Sequence, residues 1–104
     1  MQTLDFALKE RLRAVIGDHA VTESTLRKLT EQGTACALIL DARLERLERR
    51  LSELSADPES SLAEIAATMR AVNELRPDLD ELHSLLYRLD SHARELRASW
   101  LAMR

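Results

Sequence analysis

The chain has 104 residues and a mass of 11.8 kDa; 45% of it is hydrophobic, 32% is charged, and the net charge is −3. That is enough apolar material to bury a core, while two glycines and two prolines are too few for the turns of a β-sandwich or barrel. A single cysteine, Cys36, excludes an internal disulfide framework and a cysteine-based zinc site, and the acidic balance argues against nucleic-acid partners, which need a basic surface.

Leucine, alanine, glutamate and arginine dominate, the composition of long helices and coiled coils, so the expected class is all-α. The longest uncharged apolar stretch, residues 35–40, is far short of the roughly 20 residues that span a bilayer. Residues 1–16 carry charge throughout and contain no apolar signal core, which points to a cytoplasmic protein with no membrane partner.

In chain order, Leu4, Leu8, Leu12, Val15 and Ile16 recur at helical spacing and predict a helix over about 4–16, with Thr3 as N-cap and Gly17 just past its end. A second helix is expected over 22–54, beginning near Thr22 or Ser24. Its residues Leu40, Leu44, Leu47, Leu51 and Leu54 fall at spacings of 4, 3, 4 and 3, a heptad seam. Gly33 interrupts the helix at a cost of about 1 kcal/mol relative to alanine. The clearest punctuation is Ser55–Pro58, where Asp57 suits an N-cap and Pro58 a first helical position. The third helix is therefore placed at 58–75, carrying Leu62, Ile65, Met69 and Val72. Pro77 removes a bonded N–H and biases residue 76 away from helical backbone. The stripe is expected to kink there and run on over 77–103 through Leu79, Leu82, Leu86, Leu89, Ala93, Leu96, Trp100 and Met103.

If the second helix and its successors form an antiparallel hairpin, the numbers of opposed residues add to a constant. Leu54 with Leu62, Leu51 with Ile65, Leu47 with Met69 and Leu44 with Val72 each give 116, and Leu29 with Leu86 gives 115. This register sets Gly33, Ala35 and Ala37 near Leu79–Leu82, one turn from Pro77. The apolar stripe is one residue wide between 40 and 54 but widens to Leu82, Leu85, Leu86, Leu89, Ala93 and Leu96 further on. The first helix should cover that wider part, giving a three-helix bundle at one end and a two-helix arm at the other.

No Gly-rich phosphate loop, nucleophile elbow or catalytic carboxylate pair is present, so no enzyme, catalytic residue or cofactor is predicted. Asp80 and His83 have the i,i+3 spacing of bundle metal ligands, but a second such pair is missing, and no metal is expected. Cys36 reads as an inert core thiol. Arg43, Arg46, Arg49 and Arg50, interleaved with Glu45, Glu48 and Glu53, read as a self-paired solvated face or a patch for an acidic partner.

Two surfaces invite protein partners. Ala63, Ala66, Ala67 and Ala71 form a small-residue strip beside the seam, suited to a close helix–helix contact in a homodimer. At the C-terminus, Leu96, Trp100, Leu101 and Met103 are expected to overshoot the bundle by about 12–15 Å and bind a partner there. The resulting expectation is a non-catalytic interaction module, a small chaperone or adaptor that takes a partner's amphipathic helix. The alternatives are a self-assembling coiled-coil subunit, or a small regulator docking on a larger protein. Thirteen arginines against two lysines hint at a GC-rich bacterial source. In size, acidic charge and hairpin plan the chain resembles the flagellar and type III export chaperones, without a specific motif. The resemblance implies a groove that keeps an export substrate's amphipathic helix soluble.

Overall fold

A computed structural model describes residues 2–18 and 20–103. They form three helices, α1 (Gln2–Val15), α2 (Glu23–Ala56) and α3 (Leu62–Ala102), with α2 and α3 paired as a long antiparallel hairpin. The molecule is a rod of 68 × 21 × 16 Å with a radius of gyration of 18.4 Å. Among the described residues no helix is long and apolar enough to cross a membrane.

Local chemistry sets the helix ends. α1 already includes Thr3, the expected N-cap, and the side chain of Leu4 lies outside the described residues. Gly17 stands at φ 90°, left-handed backbone that suits glycine, just after α1 closes. Thr22 caps α2, its side chain accepting from the Thr25 N–H at 3.1 Å. α3 does not begin at Pro58. Asp57 instead ends α2, donating its N–H to the Leu54 carbonyl, and its carboxylate accepts from the Glu59 N–H at 2.9 Å to hold a turn. The true N-cap is Ser61, whose Oγ accepts from the N–H groups of Ala63 and Glu64 at 3.1 and 3.4 Å.

The later start of α3 moves the hairpin register by about one turn. Gly33 meets Leu86 and Glu23 bonds Arg97, pairs whose numbers add to 119 and 120 rather than the 115 expected at this end. Leu62 and Met69, assigned to the seam by their hydrophobicity, are off it, and Leu62 is 83% exposed. The actual seam of α3 is Ile65, Thr68, Val72, Leu75, Leu79, Leu82, Leu86, Leu89, Ala93, Leu96 and Trp100, an unbroken 3,4 alternation in which every member is buried or half-buried. Thr68 fits because its hydroxyl bonds back to the Glu64 carbonyl at 2.9 Å.

That register also explains why α3 continues through Pro77 instead of restarting after residue 75. Pro77 lies two residues past Leu75 and two before Leu79, on the side of the helix turned away from α2, and it is exposed. The carbonyl deprived of its N–H partner, that of Asn73, sits on the same water-facing side, where solvent satisfies it. Gly33 and Pro77 are consequently not neighbours. A Cβ on Gly33 would overlap the Leu86 side chain, so the missing side chain lets α2 and α3 approach closely there, nine residues from Pro77.

Candidate interaction surface

The three-helix end is built by α1 lying on one flank of the hairpin, antiparallel to α2 and parallel to α3. Arg11 bonds Gln32 on α2, and Arg13 bonds Glu81 on α3. Lys9 is buried with its Nζ 3.7 Å from Asp78 and 3.6 Å from Glu81, a cation held between two carboxylates. Leu8 and Leu12 enter the core with Leu26, Leu29, Leu82, Leu85 and Leu89.

The extent of α1 is written in the burial of the flank it covers. On α3, residues at seven-residue steps along this flank run from exposed Glu64 through half-buried Ala71 and Asp78 to buried Leu85 and His92. On α2, the matching series falls from buried Leu29 through half-buried Cys36 to exposed Arg43 and Arg50. Past the end of α1 part of the seam is only half-covered: Leu44, Leu47, Leu51 and Ile65 are intermediate, while Leu54 and Val72 stay buried. The arm therefore carries an apolar floor between two different walls. One wall is Arg43, Arg46 and Arg50 on α2; the other is the small surface of Ala67 and Ala71 on α3. Arg50 Nη2 reaches across to Glu64 at 3.4 Å. The opposite flank mixes polar pairs, Arg76 bonded to Glu48 and His83 Nε2 3.4 Å from Asp41 Oδ1, with exposed Leu38, Met69 and Tyr87.

Of the alanine strip, Ala63 and Ala67 are exposed, and Ala66 and Ala71 are half-buried. Ala67 and Ala71 lie on the flank that α1 covers further along. The C-terminal cluster does not stay together. Leu96 is a core residue, 2% exposed, and Trp100 packs half-buried against the core. Only Leu101 and Met103, at 65% and 82%, face solvent. The expected overhang shrinks for two reasons. The register slip brings Arg97 level with the first residue of α2, and Ile16 and Val21, from the connection between α1 and α2, pack on this end of the core. His92 also ties the connection down, its Nε2 3.2 Å from the Asp18 carbonyl.

Glu23, Arg97, Trp100 and Leu101 line an open cleft of about 330 Å³ at this end. Its charges face each other: Arg97 donates through Nη2 at 2.9 Å and through Nε at 3.1 Å to the two Glu23 oxygens. That hydrogen bonding holds the Glu23 carboxyl below its ordinary value and raises Arg97 above its own. Cys36 is half-buried against the core and outside any disulfide. No group of three histidine, cysteine or acidic side chains able to hold a metal occurs among the described residues. No known protein family, curated protein or solved structure matches the chain.

Proposed function

We propose that the protein is a non-catalytic helical interaction module, a small bacterial chaperone or adaptor that takes an amphipathic helix along its two-helix arm. The observation that carries this reading is the parallel loss of burial on both helices along the α1 flank, which leaves Leu44, Leu47 and Leu51 half-covered. In the bundle, the same flank is completed by a helix of about 14 residues that brings leucines to the seam and charged side chains to the walls. A helix from a partner, laid in line with α1, repeats that arrangement on the arm. Burying a half-covered leucine contributes about 1 kcal/mol, so three or four of them correspond to about millimolar binding at best, and contacts to the two walls must supply the rest.

Affinity capture with the unaltered chain, Leu47→Asp and Arg46→Glu in parallel tests the reading. Leu47→Asp spoils the floor, and Arg46→Glu reverses an exposed wall residue without touching the core. A partner held by the unaltered chain and lost by both variants, with helicity retained by circular dichroism, is the expected outcome. Equal retention by all three proteins overturns it.

A further inference from the structure

The helix-binding reading leaves the occupant of the arm open, and the inference drawn here rests on it. The accessible surface is 7187 Å², whereas a compact monomer of 11.8 kDa exposes about 5,900 Å². The radius of gyration of 18.4 Å compares with about 13 Å for a compact chain of this length. The excess, roughly 1,300 Å², is of the size that one partner buries in a stable dimer.

We propose that the arm's occupant is the arm of a second copy, running antiparallel about a two-fold axis at Ala67, so that the two arms together form a four-helix bundle. Three features fit this arrangement. First, α1 occupies the same flank at the bundle end, so parallel copies would set one α1 against the other. Antiparallel copies keep them at opposite ends. Second, the lengths match. The hairpin turns at about residue 59–60, and a two-fold at residue 67 carries that tip level with residues 74–75 of the facing α3. There it meets the region where α1 begins, since Lys9 lies beside Asp78 and Glu81 at 1.5 Å of rise per residue. Third, the charges interleave. With Ala67 on the axis and Gly33 level with Leu86, Arg50 comes within one residue of the partner's Glu53 and Arg46 within one residue of the partner's Asp57, at about 1.5 Å of rise per residue. The exposed Ala67 presents only a methyl group, which would let the two α3 helices approach closely.

Sedimentation equilibrium on the full chain, with cysteine crosslinking, tests the proposal. The expected mass is twice 11.8 kDa at about 100 μM, and Ala67→Glu is expected to weaken the dimer by at least about tenfold. In a Cys36→Ser background, Ala67→Cys should crosslink readily to its own copy under mild oxidation, whereas Ala98→Cys, exposed at the other end of α3, should not. A dimer that crosslinks through position 98 and not 67 overturns the arrangement. A chain that stays at 11.8 kDa overturns the second copy as occupant. Hydrogen exchange of such a monomer with a synthetic heptad-leucine, glutamate-flanked helix then separates the two readings. Protection gained over 44–51 leaves the helix-binding arm standing with another partner, and no protection sinks both.

Discussion

The two ends of the rod use the same leucine seam to different effect. At the bundle end, Leu26, Leu82 and Leu89 are at most 1% exposed, because α1 closes the flank that two helices alone leave open. On the arm, Leu44, Leu47 and Leu51 hold equivalent seam positions and remain half-covered. A heptad seam thus fixes which residues face the neighbouring helix, but the number of neighbours decides how much stability each contributes. α1 therefore divides the rod into a closed end and an end whose seam is left partly uncovered.

The largest effect expected from this contrast is the gap between two like substitutions. Leu82→Ala should cost about 3–5 kcal/mol, as a fully buried leucine that leaves a cavity does. Leu47→Ala should cost about 1 kcal/mol in dilute solution. Urea titration of both variants measures the gap. Equal costs at every concentration would mean that the arm's seam is as closed as the core. A gap that narrows as protein concentration rises is the signature of arms covering each other.

Much of this division was legible in the sequence, because the apolar stripe widens by Leu85 where α1 packs and narrows between 40 and 54 where it does not. The three-helix end follows from that width, and the hairpin from the turn signal at Ser55–Pro58. What was misread came from taking hydrophobicity as the only mark of a seam. Leu62 and Met69 are apolar but one residue away from Ser61 and Thr68, the positions in phase with the rest of α3. Thr68 is polar yet belongs there because its hydroxyl is satisfied within its own helix. The sequence Ser61-Leu-Ala-Glu64 carries a capping-box signal that outranks Asp57–Pro58. In the structure Ser61 does its half of the capping, while the Glu64 carboxylate turns to Arg50. The C-terminal cluster was misplaced by the same one-turn error. Leu96 becomes a core residue once Arg97 is level with Glu23. The sequence shows that the two-helix arm is short of a neighbour, but which flank is incomplete stays hidden, because its alanines and arginines look like ordinary helix surface until the reach of α1 is known.

A mid-sized effect sharpens the contrast from within the bundle. Gly33→Leu replaces a poor helix former with a good one, yet the new side chain enters space held by Leu86. Overpacking of this kind should destabilise the protein by about 1–3 kcal/mol, measured as a lower urea midpoint at unchanged slope. A stabilised variant would show that α2 and α3 are farther apart at this level than the Gly33–Leu86 contact requires.

The smallest effect concerns the cross-helix ion pairs at the two ends. Arg97 grips both oxygens of Glu23 beside the bundle core, whereas Arg50 reaches Glu64 on the arm through one contact at 3.4 Å. Hydrogen bonding from Arg97 favours the ionised carboxylate, so the Glu23 pKa lies below its ordinary 4.5. A group whose folded pKa is depressed contributes stability that is present above its unfolded value and is lost as pH falls through the folded one. The link between α2 and the end of α3 should therefore hold at neutral pH and down to about pH 4.5, then weaken on further acidification. Both side chains face water, so the change in overall stability is small and salt-sensitive, and the readout belongs on the residue itself. An NMR titration of the Glu23 side-chain carboxyl should place its midpoint below 4.5 in the unaltered chain. Arg97→Gln should return it towards the ordinary value while Arg50→Gln leaves it in place. A midpoint unmoved by Arg97→Gln would show that the two helix ends are not joined by this pair, and that Ile16, Val21 and Trp100 alone close the bundle there.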